Sequence, residues 1–514
     1  MTGKRNSLLS VLLFLFVSFQ IVSQPLPRST PEAEGVSSKG IMEFLDAIAN
    51  SRHEMHSIMI LRHGKVIAEG WWAPYRPELK HTLYSLSKSF TSTAVGFAVA
   101  EKKLTVNDKV ISFFPDKLPQ TVSENLSQLT IKDLLSMSVG QAPDPSFAVV
   151  PSDDWIKTFF SIPIQNKPGA VFLYNSMATY MLSAIVQKVT GQKTIDYLTP
   201  RLFKPLGIQG PDWEIDPAGT NVGGWGLRVK TEDIAKFAQL YLQKGKWNGK
   251  QILPASWVEE ATTFKIDNAP GMEQIRKDSS DWRQGYCYQF WRSRHNSYRG
   301  DGAFGQYALV LPEYDAVIAI TSETPDMQGE LNLVWQYLLP ALAANSLTPD
   351  KNEAIALKKR LSLLKVQVPI EADSSFNGPL MIDKKFKMES NSKGIESISF
   401  KGKEKNITLA LKMKDQTYSL SFGDGKWIEG KTTMLGPSLV EGAKNHFVGL
   451  PVSQIAGAYS WKNPNVLDMR LRYIDSPHTL IITVTFDSDK VTVDMLDSFR
   501  TPDKKIVLTG TVIN

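Results

Sequence analysis

The chain has 514 residues, 42% of them hydrophobic and 21% charged, the proportions of a soluble globular protein too long for one ordinary domain. Its net charge of +6 is scattered rather than gathered into an arm, which argues against nucleic acid as a partner. Cys287 is the sole cysteine, so no disulfide can form within the chain and stability has to come from a large apolar core.

Met1 to Gln24 reads as an export signal, with Lys4 and Arg5 as a basic start, Leu8 to Ile21 as an apolar core and Ser23-Gln24-Pro25 as its end. The apolar part is short for a membrane anchor and is interrupted by Ser10, Ser18 and Gln20. No cysteine follows the core to carry a lipid. The expectation is an exported protein, periplasmic or secreted, with no integral membrane span once the signal is cleaved.

Ser37 to Ser51 has helical spacing in Ile41, Phe44, Leu45 and Ile48. Ser57 to Leu61 and Lys65 to Ala68 flank His63-Gly64 and predict a hairpin. Next comes Tyr84-Ser85-Leu86-Ser87-Lys88-Ser89-Phe90, opening an apolar run to Ala100 that reads as a buried helix. Ser85 and Lys88 then share one face near its start. A serine hydroxyl attacks well only when a base takes its proton, and a lysine is a base only when neutral. Burial and the positive end of a helix dipole both disfavour the ammonium form. The same pattern occurs at Ser362/Lys365 and Ser390/Lys393 with no buried helix behind it, and Ser85 could equally cap the helix while Lys88 faces solvent.

Residues 101–280 read as mostly helical, with helices over Ile131 to Met137, Ala178 to Thr190, Thr231 to Gln243 and Leu253 to Thr262. β character returns at Gln284 to Trp291, Tyr307 to Leu311 and Ala316 to Thr321, before an apolar helix over Leu331 to Ala344. One antiparallel sheet built from both ends, beside an all-α insertion, is the economical arrangement. Cys287, in an aromatic strand-like run, reads as a small core residue rather than a nucleophile. Lys351 to Lys365 reads as a connector. Beyond it, short alternating runs at Ile395 to Phe400, Ile407 to Leu411, Tyr418 to Phe422, Leu467 to Tyr473, Leu480 to Phe486, Val491 to Met495 and Ile506 to Thr511 predict a β-sandwich or small barrel. The domain expectation is 1–24 signal, 25–347 first domain, 348–370 connector and 371–514 β-rich C-terminal domain.

Two further stretches join Ser85 and Lys88. Pro168 to Ser176 places Tyr174-Asn175-Ser176 before a helix, where a phenol can relay a proton and a neighbouring hydroxyl or amide can hold the lysine. Arg299-Gly300-Asp301-Gly302-Ala303-Phe304-Gly305-Gln306 enters a strand, and its glycines let a substrate approach the strand edge. His53-x-x-His56 has metal-like spacing but lacks a third ligand nearby, and His81 and several tryptophans could line a pocket or simply pack.

The order and spacing of these three motifs resemble the serine β-lactamase and penicillin-binding-protein superfamily. Within it the similarity is to the class C-like branch, with its esterases, D-aminopeptidases and 6-aminohexanoate-oligomer hydrolases, over roughly Pro31 to Asn345. The resemblance implies an α+β fold, an antiparallel sheet flanked by helices plus an all-α subdomain, and a cofactor-free, metal-free serine hydrolase acting through an acyl-enzyme. It implies Ser85 as nucleophile, Lys88 as base and Tyr174 as acid/base, with Ser176 and Asn175 in support. It implies an oxyanion hole from the backbone N–H groups of Ser85 and Ala303, and substrate contacts at Asp301, Gly302 and Trp225. The third motif departs from the superfamily: Gly300-Asp301-Gly302 stands where Lys-Thr-Gly or His-x-Gly is usual. Arg299 compensates for the lost cation only if it reaches inward, and strand alternation puts it on the face of Asp301. Esters or small amides are therefore the expected substrates, with Asp301 a candidate receptor for a substrate amine. The rivals are a peptidoglycan-directed D-amino peptidase or weak β-lactamase, and a silent binding protein that retains the fold. Oligomeric state is not legible.

Overall fold

A computed structural model describes residues 25–369, 383–403 and 405–513. The export segment expected at Met1 to Gln24 lies outside the described residues. Among the described residues no helix is long and apolar enough to cross a membrane.

The first domain is built on a six-stranded antiparallel sheet, in spatial order 65–71, 54–62, 316–323, 306–311, 298–302 and 291–292. The hairpin predicted at His63-Gly64 forms. Both residues take positive φ, 49° and 73°, as a two-residue turn matched to strand twist requires. Both ends of the chain segment therefore supply strands to one sheet, as the sequence implies.

Alternation along each strand buries both faces. Ile58, Ile60, Tyr307, Leu309, Leu311, Ile318 and Ile320 face one way, onto the helix Ser38–Ala49 and the helix Met327–Leu333 with its π-helical continuation Val334–Leu338. Met59, Leu61, Ala308, Val310, Val317 and Ala319 face the other, onto the helical subdomain. The run Gln284 to Trp291 is not the expected strand. Gly285 and Gln289 adopt φ of 99° and 65°, which breaks the extended chain, and only Trp291–Arg292 joins the sheet edge. Its carbonyls instead serve the helix behind the site: Ser89 Oγ donates to Gln289 O and Ser92 Oγ to Tyr288 O. Cys287 lies buried in this segment, and desolvation pushes its thiol up to about 12, the state of an inert core residue.

The helix Lys351–Ser362 lies against this domain, with Leu357 and Leu364 in its core. Backbone bonds from Ala73 N to Leu364 O and from Val366 N to Ala73 O stitch the segment after the helix to the loop beyond Trp71. The C-terminal domain is a closed barrel of nine strands. Adjacent strands pair antiparallel, and the ring shuts where Gly423 and Asp424 pair in parallel with Ala458 and Tyr459. Gly457 beside this seam has no room for a side chain, since a Cβ there would stand 2.2 Å from Ser421 O. Three strands absent from the sequence expectation complete the domain: Lys385–Met388, Ser453–Asn463 and the flanking Ile428–Thr432.

Candidate active site

Ser85 sits one step before the expected position. It occupies a 3-10 turn, Tyr84–Leu86, that feeds the α-helix Ser87–Ala100. That helix is buried on nearly every side, from Ser87 to Ala98, and its small residues permit this: a Cβ on Gly96 would meet the Trp257 ring at 2.4 Å. A helix surrounded by protein holds Lys88 away from water, at 1% exposure.

The lysine amine lies 3.1 Å from Ser85 Oγ, 3.1 Å from Ser176 Oγ and 2.6 Å from Gly224 O. Desolvation pushes its pKa down to about 7, against the opposing pull of Asp144 and Asp301. Ser176 opens the helix Ser176–Thr190, and Asn175 is the N-cap of that helix, its Oδ1 accepting from Ala178 N and its Nδ2 donating to Gln141 Oε1. The hydroxyl of the triplet thus meets the lysine while the amide organises the helix start.

Tyr174 lies beside the lysine, its ring centroid 4.9 Å from Lys88 Nζ. Burial first, and the carboxylate of Asp301 second, raise its pKa, so the phenol keeps its proton across the neutral range. Trp291 stacks on it at 5.6 Å and Tyr286 meets it edge-on. Trp225, a candidate substrate contact, is 5% exposed and packs on Trp155.

The third motif is drawn tightly against the turn Tyr84–Leu86 that carries Ser85. A Cβ on Gly302 would lie 2.0 Å from Leu83 O, so that position requires glycine for close approach, and one on Gly300 would meet the Leu86 side chain at 2.4 Å. This brings Ala303, the next residue, beside the turn that carries Ser85. Arg299 and Asp301 share a face and form a buried ion pair, Nε to Oδ2 at 2.9 Å. The guanidinium lies 4.3 Å from the Trp282 ring and also donates to Asp281 O and Ser293 Oγ.

Four residues with no sequence signal also converge here. Asp144, on the loop after Gln141, exerts a charge effect on both Lys88 and Tyr174. From the barrel, Leu439 N and His478 Nε2 both reach Tyr84 Oη, at 3.3 and 2.6 Å, and Glu323 holds the far side of His478 at 2.6 Å. Local pattern cannot reveal the barrel contacts, since 394 and 355 positions separate Tyr84 from His478 and Leu439. His56 and His81 belong to the boundary between the domains, bonded to each other at 3.1 Å, with His56 stacked on Tyr75. His53 bonds Thr324.

A family model described as Beta-lactamase matches residues 48–342. The 6-aminohexanoate-dimer hydrolase of Paenarthrobacter ureafaciens is 26% identical over 289 residues, covering 52% of this chain and 73% of that protein. A provisionally named D-alanyl-D-alanine carboxypeptidase of Escherichia coli K12 is 23% identical over 236 residues, and the match spans 40% of this chain and about half of that relative, 54%. Among solved structures, a provisionally named 6-aminohexanoate-dimer hydrolase from Bacillus anthracis superposes with a TM-score of 0.50 at 19% identity, covering 66% of this chain and 89% of that one.

Proposed function

Because this chain belongs to the Beta-lactamase family, we propose that it is a serine hydrolase cleaving an ester or small amide through an acyl-enzyme on Ser85. The observation that carries the reading is the set of partners around Lys88 Nζ. A neutral amine has two N–H bonds and one lone pair. Gly224 O and Ser176 Oγ take the two hydrogens, which leaves the lone pair for the Ser85 hydroxyl 3.1 Å away.

Lys88 removes the Ser85 proton as Oγ bonds to the substrate carbonyl carbon. The oxygen of that carbonyl becomes anionic and is met by the N–H groups of Ser85 and Ala303. The carbon–leaving-group bond then breaks while Tyr174 donates its proton to the departing alcohol or amine, and the proton on Lys88 replenishes the phenol. A water, deprotonated by the same pair, attacks the acyl carbon and releases Ser85. The N-cap role of Asn175 keeps Ser176 aimed at the lysine.

A substrate carboxylate gains little at the third motif, because Arg299 is already held by Asp301. This disfavours β-lactams and peptidoglycan stems relative to neutral esters and amides. A second reading, amides bearing an amine, is favoured by the carboxylate of Asp144, whose field reaches Lys88. The similarity to a 6-aminohexanoate-dimer hydrolase supports the same direction. Gly302 would admit the substrate backbone along the strand edge. We place the protein outside the cytoplasm, periplasmic or secreted, on the sequence of Met1 to Gln24.

The test is fluorophosphonate labelling of wild type and Ser85→Ala with the labelled peptide mapped by mass spectrometry. One adduct on Ser85, absent from the variant, is expected. No adduct on folded protein would favour a silent binding protein instead.

A further inference from the structure

His478 lies in the turn between the barrel strands Val466–Tyr473 and Thr479–Asp487, with its side chain fully buried. Its Nδ1 is 2.6 Å from Glu323 Oε1, and Glu323 also accepts from Ser498 Oγ at 2.6 Å. A carboxylate only accepts, so Nδ1 carries a proton, and in the neutral imidazole Nε2 is then the acceptor. The Tyr84 hydroxyl therefore donates to Nε2, at 2.6 Å, and accepts from Leu439 N.

The same imidazole meets Phe304 edge-on, with centroids 4.8 Å apart and planes at 89°, and Phe499 backs both rings. Tyr84 and Phe304 in turn pack on each other at 5.8 Å. Tyr84 immediately precedes Ser85, and Phe304 immediately follows Ala303. Both have positive φ, 46° and 68°, a conformation a bulky side chain adopts only where its surroundings impose it.

We propose that His478 is a positioning residue for catalysis: it touches both Tyr84 and Phe304 and, with Leu439 N on the first and Phe499 on the second, lets the C-terminal barrel fix the two segments whose amides flank the reacting carbonyl oxygen. The inference rests on the reading of Ser85 as nucleophile with an oxyanion hole at Ser85 and Ala303. It makes the barrel a working part of the active site rather than an appended module. Oxyanion stabilisation depends steeply on donor placement, since removing one donor costs about a hundred- to a thousand-fold in rate. A displaced pair should cost a comparable factor.

The experiment measures kcat and KM for p-nitrophenyl butyrate, with the fluorophosphonate labelling rate, in full-length wild type, Ser85→Ala, His478→Ala, Tyr84→Phe and Arg472→Met. Arg472 pairs with Glu54 at 2.6 Å, a separate link between the same domains that touches neither segment. His478→Ala is expected to lower kcat and labelling rate by about a hundred-fold with KM within about threefold. Tyr84→Phe, which keeps the ring and loses only the hydroxyl link, is expected to lower kcat about tenfold and covers the case in which His478→Ala does not fold. Arg472→Met is expected to lower the melting temperature with kcat within about threefold of wild type. Unchanged kcat in Tyr84→Phe and in any folded His478→Ala would overturn the inference. So would an equal loss in Arg472→Met, because the contact would then only hold domains together. Labelling that persists in Ser85→Ala would instead sink the reading of Ser85, whatever His478 does.

Discussion

Arg299 and Asp301 pair inside the protein, Nη2 to Oδ2 at 2.8 Å, with 0% and 7% of their side chains exposed. The pair stands where superfamily members present a free cation, so the motif is close to neutral toward substrate. Asp301→Ala leaves a buried guanidinium without its partner, a change expected to cost about 3–5 kcal/mol of stability. The freed Arg299 should also raise acylation by a penicillin relative to a neutral ester. Calorimetry and a comparison of the two acylation rates check this. An unchanged ratio would show that the pair has no part in selecting substrate charge.

Lys88 must be neutral to act, and its pKa is pushed down to about 7 from an unfolded value of 10.5. The expected kcat/KM therefore rises with pH through about 7 and flattens above it. The sign for stability is the same. The cost of burying a group that is charged in the unfolded chain is full below pH 7, and is relieved as pH climbs from 7 toward 10.5. Lys88→Met should lose about a hundred- to ten-thousand-fold in kcat/KM together with this pH dependence. A pH–rate profile of wild type that is flat from about pH 6 to about 8, across the pKa of about 7, would remove Lys88 from the role of base.

Tyr174 keeps its proton because burial and Asp301 raise its pKa, so it can serve as an acid toward a poor leaving group. Tyr174→Phe should slow hydrolysis of an anilide by about a hundred-fold or more. A p-nitrophenyl ester, whose leaving group needs no proton, should suffer much less. Steady-state rates on the two substrates decide it, and equal losses would mean the phenol only packs against Trp291.

Glu330 is fully buried behind the loop Gly302 to Gln306, bonded to Ser322 Oγ at 3.1 Å, and desolvation pushes its pKa up to about 8. Below about pH 4.5 both the folded and unfolded chains hold the proton. Between there and 8 the unfolded chain releases it while the folded one retains it, so stability falls by about 1.4 kcal/mol per pH unit. Glu330→Gln should remove that slope, so its melting-temperature advantage over wild type should grow from pH 5 to about 8. A gap that stays constant across the series would mean the carboxyl ionises normally.

Local chemistry made much of this protein legible from sequence. Nearest-neighbour effects are short in range: the His63-Gly64 turn follows from φ preferences, the two-faced burial of Ile58 to Leu61 from strand alternation, and the helix after Ser87 from the 3.6-residue period. Alternation also puts Arg299 and Asp301 on one face. The spacing of Ser85 and Lys88 marked the place where a buried helix could lower a lysine's pKa, but only packing decides that the lysine is dry and which three oxygens surround it.

What the tertiary structure alone decided lies far apart along the chain. The run Gln284 to Trp291 looks like a strand by composition, yet its carbonyls bond Ser89 and Ser92 of the helix Ser87–Ala100, a demand no window of neighbouring residues contains. The strand Ser453–Asn463 was invisible because Ala456, Gly457 and Ala458 lack β-branched bulk. Those small residues are what the barrel seam needs, where Gly457 nearly touches Ser421 O. His478 reaches Tyr84 across 394 positions of sequence. Sequence sets which groups can make such a bond, and closure of the barrel against the first domain determines which of them do, because a hydrogen bond between distant residues exists only once the chain between them has been folded into place.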